Sequence, residues 1–144
     1  MAGKNRTKTS AVTFFAEVSE KPYRYGFYQT VRQINCFYEN LPTTGTAYKP
    51  SDDPVRFSQE PYTFFAPATL GGLEIDSSSP YPRLSQRFLG LFGPNGPLPL
   101  HLTEYARDRS RHHHDNSFAS FVDMFHHRVV SLFYAAWAQA QPVV

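Results

Sequence analysis

Cysteine is all but missing from this chain. Cys36 stands alone, which excludes an internal disulfide and fits a reducing compartment. Long apolar runs are missing too: no stretch approaches the ~20 residues that a membrane helix needs. The start, Met1 to Thr9, is polar and basic with no apolar segment behind it, so no signal peptide is expected. An excess of either charge is also lacking. Fourteen Lys and Arg stand against twelve Asp and Glu, for a net +2, and that balance lacks the basic footprint of a nucleic-acid binder. Basic residues do lie among aromatics at Tyr23-Arg24-Tyr25 and from Arg83 to Phe88, but the near-zero net charge argues against base stacking there. The reading is a soluble, cytoplasmic chain with no nucleic-acid partner and no direct membrane insertion.

Aromatic residues, by contrast, are plentiful. Thirteen Phe and nine Tyr help bring aromatics to 16% of the chain, and such side chains enrich both cores and interfaces. Twelve Pro point to substantial irregular structure. The 144 residues suit one domain with a real core. It is expected to span 10–144, after a disordered basic tail over 1–9 that carries Lys4, Arg6 and Lys8.

The periodicities predict an α+β fold: two N-terminal helices, a small, mostly antiparallel sheet of short strands, and two C-terminal helices. A short helix is expected over 10–18, capped by Ser10 and broken by Pro22. A stronger one is expected over 25–40, where Phe27, Val31, Ile34, Tyr38 and Leu41 step by three and four. Short strands are expected at 55–58, 63–66 and 73–75. The best strand is expected over 84–92, with Leu84, Phe88 and Phe92 on one side and Leu89 and Leu91 on the other. Pro and Gly then mark a turn over 93–99. Pro99 suits a helix start, and Leu102, Tyr105 and Ala106 form the inner face of the helix that follows. Glu104 with Arg107 and Asp108 with Arg111 have the spacing of weak surface pairs. The last helix, Ser117 to Gln139, has Asp115 as a cap and Pro142 as a limit. Its expected core stripe includes Phe118, Phe121, Phe125, Leu132 and Phe133, while Met124, Tyr134 and Trp137 fall partly outside that stripe.

Few side chains suggest chemistry. His112, His113 and His114 are consecutive, so on a helix they point apart. Asp123 and His127 are four apart and offer two ligands on one face, whereas a closed zinc site takes about four and a catalytic one about three. The simpler reading is a polar bend at 112–114 and surface histidines at 126 and 127. Gly93-Pro94-Asn95-Gly96-Pro97 has the glycines of a phosphate loop but not its amides, because Pro94, Pro97 and Pro99 remove donors and no Gly-Lys-Ser/Thr follows. A stiff turn explains it better, with Gly96 a position where positive φ would matter. Cys36 reads as an inert buried thiol within a helix pattern. No catalytic residue, metal or cofactor is expected.

Two stretches are more specific. One is Arg87-Phe88-Leu89-Gly90-Leu91-Phe92-Gly93-Pro94-Asn95-Gly96-Pro97-Leu98-Pro99-Leu100-His101-Leu102-Thr103-Glu104-Tyr105. The other is Phe121-Val122-Asp123-Met124-Phe125-His126-His127-Arg128-Val129-Val130-Ser131-Leu132-Phe133-Tyr134-Ala135-Ala136-Trp137-Ala138. Together they resemble the TssG family of the bacterial type VI secretion machine. Phe27-Tyr28-Gln29 to Arg32 resembles that family's first helix, and Val55-Arg56-Phe57 to Glu60 its first strand. The resemblance covers about residues 24 to 142.

It implies a non-enzymatic baseplate subunit, docked at the inner membrane through the secretion membrane complex. TssG joins two copies of TssF in a baseplate wedge, links to TssK trimers, and reaches TssE and the hub and spike indirectly. Family members continue past the position of Trp137 for about as far again, so this chain is expected to be the N-terminal half, with TssK-binding loops beyond Val144. Phe88, Gly93, Pro94, Gly96, Pro97, Phe121, Phe125, Leu132 and Phe133 are expected to be structural. Tyr134, Trp137 and Met124 are expected to touch partners. The competing reading is a metal-dependent hydrolase using Asp123, His127 and either His101 or His114.

Overall fold

A computed structural model describes the backbone of residues 2–76 and 79–141, with side chains described from Ser10 onward. Among the described residues, four α-helices surround a three-stranded sheet: α1 (Ala2–Glu20), α2 (Phe27–Phe37), β1 (Arg56–Ser58), β2 (Leu70–Glu74), β3 (Arg83–Gln86), α3 (Leu100–His112) and α4 (Ser117–Gln139). The class is α+β, as expected. Pro142 lies outside the described residues.

Helix α1 begins at Ala2 and not at Ser10. Gly3, Asn5, Thr7 and Thr9 are weak helix formers, but no proline between Ala2 and Thr9 forces a break. The stretch expected as a disordered tail is therefore the first part of this helix. Its last turns place Phe15 and Val18 in the core. Helix α2 follows the predicted stripe: Phe27, Val31 and Ile34 are buried with Thr30, the spacing of one face of a 3.6-residue helix.

The sheet order is β1-β3-β2. It is mixed: β2 and β3 are antiparallel, whereas β1 and β3 are parallel, which corrects the mostly antiparallel expectation. In this register Phe57, Leu84 and Leu73 stand in one row across the strands. All three are buried, beside Val55, Leu70, Val130 and Tyr134. A second, smaller cluster joins Phe92, Ala106 and Val122 with Leu91, Leu98 and Phe118. The strand expected over 63–66 is not formed.

The strand expected over 84–92 stops at Gln86. Beyond it, side chains rather than a neighbouring strand satisfy the backbone. Gln86 Oε1 accepts the Phe88 and Leu89 amides at 3.1 and 3.0 Å, and Gln86 Nε2 donates to the Leu89 carbonyl. Gln59 holds both backbone groups of Phe92 at 3.0 Å. Two buried glutamine amides thus replace a ladder, which satisfies these buried groups equally well.

The Gly93–Pro99 connection is closed by the Gly96 amide on the Gly93 carbonyl at 3.1 Å. Positive φ falls on Gly93 (φ 102) and not on Gly96. Gly96 is needed for a different reason. A Cβ there would lie 2.4 Å from the Leu91 carbonyl oxygen, and that backbone cannot move aside cheaply. Gly96→Val is therefore expected to cost about 1–3 kcal/mol through overpacking, read as a lower midpoint in urea. Superimposable unfolding curves for variant and parent would refute this account of the turn.

Candidate interaction surface

Helix α4 has the predicted bounds but the opposite rotation. Its inner side is Val122, His126, His127, Val130, Ser131, Tyr134 and Ala135. Its outer side is apolar: Phe121, Met124, Phe125, Val129, Leu132 and Phe133 are each between 41% and 62% exposed. Phe121, Phe125, Leu132 and Phe133, expected in the core, are therefore on the surface. Tyr134, expected at a partner, is 2% exposed. Met124 is exposed as expected, and Trp137 is half-buried, stacked on Tyr28 with ring centroids 4.3 Å apart.

The inner side packs on β1 through polar as well as apolar groups. β1 lies at the edge of the sheet, so one row of its amides has no strand partner. Helix α4 supplies the acceptors. His127 Nδ1 takes the Phe57 amide at 3.3 Å, and Asp123 Oδ1 takes the Gln59 amide at 3.0 Å. Next to them, His126 Nε2 accepts the Leu91 amide at 2.9 Å and His126 Nδ1 lies 3.0 Å from Asp123 Oδ1. His127 Nε2 lies 3.3 Å from Asp53 Oδ2, and Asp53 Oδ1 accepts the Gly45 amide at 3.1 Å.

Both histidines are buried, which corrects their expectation as surface residues. No sequence signal separates them from solvated ones, because each sits beside apolar residues that face out. Asp123 and His127, the pair that the hydrolase reading needs together, engage different partners. Among the described residues, no group of three or more His, Cys, Asp or Glu is placed to hold a metal ion. His112 and His113 are exposed and approach Asp108 at 3.9 and 3.8 Å. Cys36, expected to be buried, is exposed.

The start of α4 is held by Asp115. Its Oδ1 accepts the Ser117 amide at 3.0 Å, and its Oδ2 meets the Arg109 guanidinium at 2.5 and 3.2 Å. Hydrogen bonding from Ser117, and then from Arg109, holds this carboxyl below its ordinary range. Arg109 thus pairs across the α3–α4 bend. The Arg107 partner is Thr63 at 2.9 Å rather than the predicted Glu104. Within the core, burial pushes the Tyr134 phenol up, and Asn35 Nδ2 donates to its oxygen at 3.3 Å.

The outer face continues beyond α4. Phe133 lies 5.9 Å from Phe88 and 6.4 Å from Tyr28, centroid to centroid. Phe121 and Phe125 meet edge to face at 5.5 Å. Phe88, expected to be structural, is 38% exposed and joins this aromatic surface. Large contiguous apolar faces are uncommon on free monomers and mark places where other molecules sit.

Residues 21–144 match the family described as Type VI secretion, TssG. The chain belongs to the TssG family. It is thus a component of the type VI secretion baseplate, and the TssG family is a family of structural subunits. No curated protein and no solved structure matches the chain. No helix among the described residues is long and apolar enough to cross a membrane. In this TssG-family chain, Gly93 and Gly96 shape the turn that sets α3, while Pro94 and Pro97 lie on its exposed side.

Proposed function

We propose that this chain binds TssF through the outer face of α4, and so builds the TssG part of a baseplate wedge. The observation that carries this is the rotation of α4: its largest apolar side chains, from Phe121 to Phe133, face outward. Full burial of a Phe or Leu side chain is worth about 1.5–3 kcal/mol. Six half-exposed side chains on one helix leave much of that term to be realised on association. Membership of a baseplate family supports a baseplate partner; in this reading TssG holds two copies of TssF, and the wedge reaches TssK trimers, with TssE and the hub and spike further off. In the same reading the chain lies on the cytoplasmic side, docked at the inner membrane through the secretion membrane complex.

The test is a photo-reactive residue placed at Met124, which is 62% exposed, and at Tyr23, which is 63% exposed and lies far along the chain from α4. In cells expressing the whole baseplate, the α4 probe is expected to capture TssF and the Tyr23 probe to capture it far less. Equal capture at both positions, or capture of another baseplate subunit at Met124, would reject this assignment of the face.

A further inference from the structure

We propose that His126 and His127 form a proton-sensitive latch: both rings must be neutral for α4 to cover the edge of β1, and acidification releases the helix. The geometry assigns His126 one tautomer and requires a lone pair on His127 Nδ1. A ring nitrogen that faces an amide N–H must carry its lone pair there. His126 therefore accepts the Leu91 amide on Nε2 and donates from Nδ1 to Asp123. His127 accepts the Phe57 amide on Nδ1, while its Nε2 lies 3.3 Å from Asp53 Oδ2 and 3.4 Å from the Arg56 guanidinium. Neither ring has a free nitrogen. A second proton on either one sets N–H against N–H and leaves a buried backbone donor without an acceptor, an arrangement that folded chains avoid.

The charges around the rings pull in different directions. Asp123, on α4 itself, faces His126, with the Phe92 ring 5.8 Å away. From the segments packed on α4, Asp53 and Arg56 face His127, the latter with Nη1 3.4 Å from Nε2. The carboxylates favour the imidazolium and Arg56 opposes it at His127. Neither carboxylate can restore an acceptor to the Phe57 or Leu91 amide, because both lie on the other nitrogen of the ring. The neighbouring acids thus make proton uptake possible without making it compatible with docking. What the latch uncovers is specific. The Phe57 amide is the outward donor of an edge strand, and an open edge pairs with other chains.

Exchange of the imidazole C2 hydrogen for deuterium, read residue by residue by mass spectrometry alongside amide exchange of the full chain, follows ring and latch together. The exposed rings of His112 and His113 serve as internal references. On acidification, the amides around Phe57 and Leu91 are expected to open at the pH where the His126 and His127 rings take up protons. If those rings titrate together with the references while both amides stay protected, the latch does not exist. The variant H126Q/H127N keeps an oxygen near each amide and cannot titrate. It is expected to stay closed at the pH where the parent opens; opening at the parent's pH would assign the transition to carboxylates and overturn the proposal. If that variant fails to fold, the ring-against-amide comparison in the parent still decides.

Discussion

Phe125→Asp is expected to leave the fold standing and to abolish co-purification with TssF. The side chain is 53% exposed and its neighbour on the same face, Phe121, is 55% exposed, so a carboxylate there stays hydrated in the free chain and faces no desolvation. In an assembled wedge the same carboxylate would lie unpaired against an apolar partner. Loss of one central aromatic anchor typically removes about 2 kcal/mol or more of binding, a weakening of roughly 30-fold, and the buried charge adds to it. The check is a paired measurement of thermal melting and of TssF retained on tagged chain. A variant that melts normally and retains TssF would remove α4 from the interface. One that no longer melts cooperatively would return Phe125 to the core, where its helical spacing alone would put it.

Tyr134→Ala is expected to do the opposite, with a large loss of stability and an effect on TssF binding only through that loss. Tyr134 is 2% exposed, its ring lies 6.4 Å from Phe27 and 5.7 Å from Trp137, and its hydroxyl accepts from Asn35. Truncation of a buried aromatic to Ala typically costs about 3–5 kcal/mol, against a total of about 5–15 kcal/mol for a domain. A fall in Tm of roughly 10 °C or more follows. Tyr134→Phe keeps the ring and forfeits one hydrogen bond, so it should cost about 0.5–1.5 kcal/mol. A Tyr134→Ala chain that melts like its parent and fails to hold TssF would make Tyr134 a contact residue after all.

The exposure of Phe125 and the burial of Tyr134 mark what is legible from residues alone. The bounds of α4 and the buried face of α2 followed from spacing, because three-and-four periodicity reports which elements are helical. Periodicity does not report which face meets this chain's own core. A stripe of Phe and Leu leaves water equally well against a partner, and in α4 the intramolecular side is the one carrying His126, His127 and Ser131. The two histidines were readable only as surface, since the amides they accept from, at Phe57 and Leu91, lie far away in sequence. The strand over 84–92 was cut short for a similar reason: Gln59 and Gln86 satisfy the backbone that a ladder would have used, and no local pattern announces that. The parallel pairing of β1 with β3 was equally hidden, because the intervening β2 takes the opposite edge. The excess of apolar side chains around α4 was visible in the sequence, and that excess is what the outer face consists of.

The placement of α4 also governs the order in which this protein can become folded during synthesis. Phe27 and Asn35, near the start, complete their surroundings with Tyr134, near the end, and the edge of β1 receives its cover from His127 and Asp123. Contacts so distant along the chain form late and slow the search for the native state. Until α4 has left the ribosome, the nascent chain carries an uncovered core and an open strand edge, the two features that make incomplete chains aggregate. A helix whose inner side completes the core and whose outer side carries its apolar surface therefore makes translation itself a checkpoint: a chain stopped before Val130 has neither a finished core nor the Leu132–Phe133 end of its outer face.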